Sequence, residues 1–253
     1  CFPQMIKEDM KNPIMASVAG TGSMALMILS TYAKPWIGQA AYGIWLFAIL
    51  LHVILIVYFT ITFLCKLQMP KVFASYYIVY VGIAVAAITA PAYEQTAIGA
   101  AAFWFGFVSL ILLLILVTYR YVTVKEVPDP AKPLICIYAA PASLCVAGYV
   151  QSVTPKSFGF LMALFVLATV LYLFALVKAV GYLKMPFYPS YAAFTFPFVI
   201  SAIAAKQTMA CAAKLGHPLL ALSGLVLVET VIAVVLVVYT YIRFMMFLTA
   251  KNK

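Results

Sequence analysis

Charge is what this sequence has least of. Charged residues make up 9% of the 253, and only six are acidic, where a soluble domain carries about 25% charged residues. So few charges cannot cover a water-facing surface, which excludes a soluble enzyme. The formal net charge is +10, but the basic residues stand singly in short loops between apolar runs, without the dense patch that nucleic-acid binding requires. Histidine is nearly absent too, at two residues, and neither lies at metal-ligand spacing from a cysteine. The five cysteines, Cys1, Cys65, Cys136, Cys145 and Cys211, form no C-x-x-C pair. They read as small apolar residues in helices, not as a disulfide framework or a metal site. Gly-x-Ser-x-Gly, paired carboxylates within one span and phosphate-cradling glycine loops are all missing. The sequence therefore predicts neither an enzyme nor a cofactor or metal.

What is present is apolar. Hydrophobic residues make up 67% of the chain and the mean hydropathy is +1.11. A bilayer core of about 30 Å takes about 20 apolar residues in a helix, and eight stretches qualify: 13–33, 37–65, 73–93, 96–122, 134–152, 157–183, 190–210 and 218–247. The reading is an all-α polytopic membrane protein, a single transmembrane domain over 1–253, built from hairpins at about 13–65, 73–122, 134–183 and 190–247. Odd spans are short and rich in Ala, Gly, Ser and Thr, with Gly20, Gly82, Pro141 and Pro197 as helix-weakening positions. Even spans are long runs such as Leu110–Leu116. Small residues allow close helix approach, and kinks persist where neighbours or water meet the freed carbonyls. The odd spans thus read as short, kinked inner helices, and the even spans as an outer ring.

The opening Cys1-Phe2-Pro3-Gln4-Met5-Ile6-Lys7 nearly repeats Cys65-Lys66-Leu67-Gln68-Met69-Pro70-Lys71, the tail of an apolar span. That repetition predicts one further hairpin before this sequence, ten helices in all. Lys and Arg set the orientation. Lys7, Lys11, Lys66, Lys71, Arg120, Lys125, Lys132, Lys178, Lys184, Arg243, Lys251 and Lys253 fall on one side, against Lys34, Lys156, Lys206 and Lys214 on the other. Twelve against four places both termini in the cytoplasm.

Ionisable groups inside a membrane are functional candidates. His52 and Glu229 sit in outer spans and His217 in a loop. Each of the first two is weighed as a proton-coupling group against a packing or helix-contact role. Ser17, Gly20 and Ser23 make a small polar stripe on one inner span, and Gly82, Ala86 and Thr89 on the next. Such stripes line a pore or pack helices about equally well. Lys206, near one end of the last inner span, favours anions. The strongest local signal is Ala192-Ala193-Phe194-Thr195-Phe196-Pro197-Phe198. Pro197 removes a backbone donor, and Phe196 beside it faces small residues on one side only. Phe196 reads either as a plug or as a packing ring.

Tyr191–Ala205, with Thr195-Phe196-Pro197 and Ser201-Ala202-Ile203-Ala204, resembles the ninth helix of the tellurite-resistance/dicarboxylate transporter family, which includes plant slow anion channels and yeast malate and sulfite transporters. Ala139–Ala147 resembles its seventh helix, and Lys11-Asn12-Pro13-Ile14-Met15 the lead-in to its third. The resemblance implies five hairpins whose inner helices surround a pore, commonly in a homotrimer. It also implies that Phe196 closes that pore and that Pro141 and Pro197 mark kinks. The expectation is a channel or transporter for small anions, inorganic or C4-dicarboxylate, in the plasma membrane. Ser17, Ser23, Thr89, Thr195 and Lys206 are the pore-lining candidates. The rivals are a proton-coupled dicarboxylate carrier using Glu229 or His52, and a non-conducting membrane scaffold or receptor.

Overall fold

The computed structural model describes residues 2–251. Cys1, on which the expectation of a preceding hairpin turns, and Lys253 of the charge count lie outside the described residues. The described chain is helical, with no strand, and forms two compact units. The first comprises 1–126 with Gln151–Thr154, the second Val127–Val150 with Pro155–Lys253.

In the first unit α1 (Phe2–Asp9) leads to α2 (Pro13–Val18) and α3 (Gly20–Ile37). Asn12 caps α2, its Oδ1 accepting from Ile14 N at 2.9 Å, while Pro13 begins the helix where its missing N–H costs nothing. Gly38, at φ 57°, ends α3 and donates to Lys34 O. This left-handed stop suits glycine, and α4 (Ala40–Phe59) returns along α3. A π-helical turn, Thr60–Leu64, extends α4.

The span expected over 73–93 is where sequence and structure differ. It is not one helix but α5 (Tyr76–Tyr80), α6 (Ala84–Thr89) and a 3₁₀ turn, Ala90–Tyr93. Seven segments among the described residues are long and apolar enough to span, and here the apolar helix is only Ala84–Tyr93. Gly82 is the cause. Its N–H and that of Val81 both reach Tyr77 O, at 3.1 and 2.9 Å, and the next bond, from Ala84, goes to Val81 O. A Cβ at Gly82 would stand 2.1 Å from Ile78 O. The long α7 (Thr96–Thr123) packs on α5 and α6.

In the second unit a 3₁₀ segment, Asp129–Tyr138, runs into α8 (Ala139–Ser152). The long α9 (Phe158–Tyr182) follows, with Ser157 as its cap. A second 3₁₀ segment, Pro189–Phe194, leads to α10 (Phe196–Lys214), and α11 (Leu222–Lys251) returns along α10. Pro141 and Pro197 thus stand in the first turns of α8 and α10, where proline is tolerated. Each follows a change from 3₁₀ to α winding, at Ala139, whose backbone is helical, and at Thr195, whose backbone is not. Burial separates the two helix types in this unit. In the apolar 18-residue stretch within Asp129–Ser152, 89% of the residues are buried, and in that within Leu222–Ala250 only 17%, so the aliphatic helix presents most of its surface outward, as a lipid-facing helix does.

Gly82→Ala is expected to lower the melting temperature in detergent, equivalent to about 1–3 kcal/mol of overpacking. Gly22→Ala, whose Cβ meets nothing within 4 Å, leaves it unchanged. Equal melting temperatures for the two would contradict the break at Gly82.

Candidate functional site

The segment from Pro189 to the first turn of α10 concentrates the chemistry of the second unit. Three phenylalanines lie in five residues, and the fold treats them differently. Phe194 and Phe198 are fully buried. Phe194 packs at 4.8 Å, centroid to centroid, on Tyr191, and Phe198 lies edge-on to Tyr172 at 5.6 Å. Phe196, between them, is only half-buried, and no aromatic pair involves it among the described residues. Thr195 holds the junction at φ −98°, ψ −90°, with its hydroxyl donating to Ala192 O at 2.7 Å. That leaves Ala192 exposed and Thr195 half-exposed beside Phe196. The 3₁₀ lead-in is tied down by Tyr191, whose hydroxyl reaches Tyr182 O and Met185 O at 2.8 and 2.9 Å.

The two inner helices of this unit meet at a serine pair. Ser143 Oγ and Ser201 Oγ lie 3.0 Å apart. Ser143 also reaches Ala139 O at 2.8 Å, and Ser201 reaches Pro197 O at 2.9 Å. The two hydroxyls therefore serve the first turns of α8 and α10, where the prolines sit. Nothing in the periodicity of the sequence singles this pair out.

The polar stripes of the first unit turn toward the outer helix α4. Ser17 is fully buried, its hydroxyl donating to Ile14 O at 2.8 Å. Ser23 Oγ lies 2.7 Å from His52 Nδ1, and Thr89 Oγ1 accepts from Trp45 Nε1 at 2.7 Å. Gly20 stands beside His52 and Leu55. Gly20, Ser23 and Thr89 thus meet side chains of α4.

The charged and ionisable groups fall into two sets. Glu229, on α11, faces inward at 2% exposure, and its Oε2 has no hydrogen-bond partner among the described residues. Lys206, on α10, is exposed and lines an open groove of about 350 Å³ between α10 and α11, with Val199, Ile203, Thr230 and Val234. His217 stacks on Phe158 at 4.1 Å. The other set has arginines at the ends of outer helices. Arg120 is fully buried, donates to Pro70 O, Val124 O and Glu126 O at 3.3 Å, and lies 4.9 Å from the Phe73 ring. Arg243 donates to Tyr239 Oη at 2.6 Å and Met185 O at 3.3 Å, over the rings of Phe187 and Tyr191. As sequence these two were only loop charges. In the fold each ties the end of an outer helix to the Met-Pro loop leading into the inner helix of its own hairpin. No cluster of metal-ligating side chains occurs among the described residues.

An all-α polytopic membrane protein with broken inner helices is the class that this architecture defines. The family description of voltage-dependent anion channels (SLAC1) matches residues 1–247. The chain belongs to that family, the tellurite-resistance/dicarboxylate transporter family of the sequence comparison. A search of curated proteins gave no match.

The unequal burial of the three phenylalanines sets their expected cost on truncation. Phe194→Ala and Phe198→Ala should each cost about 3–5 kcal/mol, read as a large fall in melting temperature. Phe196→Ala should cost about 1 kcal/mol or less. A loss at Phe196 as large as at its neighbours would make it a core ring.

Proposed function

We propose that this chain moves small anions, inorganic or C4-dicarboxylate, across the plasma membrane through a pathway lined by its inner helices, with Phe196 as the constriction. The observation that carries this reading is the half-exposed Phe196 ring at a helix junction, between two neighbours that the core has fully claimed. Family membership supports anion transport in general. At such a constriction an ion sheds part of its hydration shell. Hydroxyl and amide dipoles near the Thr195 junction replace that shell only weakly, which suits conduction better than tight binding. Lys206 adds positive potential on α10. The twelve-to-four distribution of Lys and Arg supports cytoplasmic termini, and the homotrimer rests on the family resemblance.

A second reading draws on Glu229. A carboxyl buried in a bilayer without a cation partner is neutral or becomes so, because the bare charge is costly. A group of that kind can carry a proton with the anion. Flux that rises or falls with pH in the wild type and turns pH-flat in Glu229→Gln would favour a proton-coupled carrier. A pH-flat wild type would sink it.

Anion flux in liposomes, wild type against Phe196→Ala, tests the main reading. Removing a constriction should raise the flux of several anions together by about tenfold or more, since each 1.4 kcal/mol removed from a barrier is tenfold. Absence of flux in both would contradict it and leave a scaffold or receptor.

A further inference from the structure

We propose that His52 is a positioning residue for the conduction pathway: from the outer helix α4 it holds the breaks of two inner helices of the first unit in place. The proposal rests on the conduction reading above but is independent of Phe196, which lies in the other unit.

The geometry is specific. His52 is fully buried, although it belongs to a lipid-facing helix type. Its Nε2 lies 3.0 Å from Val79 O. A carbonyl only accepts, so Nε2 carries the proton. Val79 O is one of three carbonyls, with Ile78 O and Tyr80 O, that the broken ladder passes over. Val81 and Gly82 both bond to Tyr77 O, and Ala84 bonds to Val81 O. In a bilayer a carbonyl released in this way has no water to take it, and the imidazole of the neighbouring helix supplies the donor.

The other edge of the ring meets the second break. Nδ1 lies 2.7 Å from Ser23 Oγ, which is also 2.9 Å from Gly20 O. Gly20 opens α3, one residue after α2 has ended at Val18. With Nε2 protonated and the ring neutral, Nδ1 accepts the single proton of the Ser23 hydroxyl, which then lies beside Gly20 O without donating to it. Gly82 makes room for the ring, while at Gly20 the contact is an ordinary one. A Cβ at Gly82 would come within 3.1 Å of His52 Cε1, and one at Gly20 within 3.5 Å. Two inner-helix breaks thus share one side chain of an outer helix, one through a carbonyl and one through a hydroxyl. Moving that side chain moves both.

The test compares His52→Phe, His52→Gln and wild type in liposome anion flux, with the chloride-to-nitrate flux ratio as the second readout. Phenylalanine keeps a ring and leaves Val79 O without a donor. The glutamine amide reaches the place of Nε2 and restores it. The proposal requires His52→Phe to change flux by about tenfold, the equilibrium value of one lost buried hydrogen bond, and to shift the ratio. It requires His52→Gln to stay within about twofold on both. Equal impairment of the two variants would show that only the ring's packing matters and overturn the proposal, as would wild-type behaviour in His52→Phe. If His52→Phe fails to reach the membrane, His52→Gln decides alone, and its impairment overturns the proposal. Nitrogen-15 resonances of His52 give a readout independent of flux. A neutral ring protonated at Nε2 is expected, and protonation at Nδ1 alone would refute the bond to Val79. If neither wild type nor Phe196→Ala passes anions, the conduction reading fails, while the resonance still tests the bond itself.

Discussion

A backbone carbonyl set free inside a bilayer has no water to turn to. That constraint governs where this fold can bend. The inner helices are broken repeatedly, at Ala19, between Tyr80 and Ala84, and at Thr195, and each break releases polar backbone that the protein itself must meet. The partners are side chains on neighbouring elements of the same unit. His52 takes Val79 O, and Ser201 Oγ on α10 lies 3.2 Å from Ala139 O of α8. Tyr191 takes Tyr182 O and Met185 O below the 3₁₀ lead-in. An unbroken aliphatic helix needs none of this, and α7, α9 and α11 are accordingly long and poor in polar groups.

The same reasoning explains why charge is so scarce and where it is kept. Arg120 and Arg243 perform parallel tasks in different hairpins. Each stands near the end of an outer helix, stacks near the phenylalanine that follows a Met-Pro pair, and donates to a carbonyl of that pair. Guanidinium suits this work because its planar fork meets several carbonyls at once, keeps its charge and stacks on rings. Among the described residues no carboxylate joins either group. Lys132 pairs with Asp129 at the start of the 3₁₀ segment Asp129–Tyr138. Cationic character therefore survives at these helix ends, which is compatible with anion traffic.

The all-α membrane class was legible because composition and span length are crude signals that a bilayer enforces strongly, and the family was legible from the motifs at Ala139–Ala147 and Tyr191–Ala205. The alternation of small-residue and aliphatic spans gave the helix types, and Gly82 advertised a weak point. Sequence could not say that 73–93 dissolves into two short helices and a 3₁₀ turn, because that depends on Ile78 O closing on the glycine. Partner choice was equally hidden. Ser23 and Thr89 looked alike as lining or seam, and only the fold shows their hydroxyls meeting His52 and Trp45. The F-x-F-x-F pattern around Phe196 could not separate its three rings either. Burial does so: Phe194 and Phe198, four residues apart, are fully buried, and Phe196 between them is not.

The central claim is that Phe196 stands in an aqueous anion pathway. Its most direct test places a cysteine there, Phe196→Cys, in a background where the exposed Cys65 is replaced by serine. An anionic, membrane-impermeant thiol reagent is then added during flux. The account predicts progressive block of anion flux that is reversed by reducing agent, with no effect on the Cys65→Ser background alone. Full flux after complete labelling at position 196, or a thiol there that never reacts while anions pass, would contradict it.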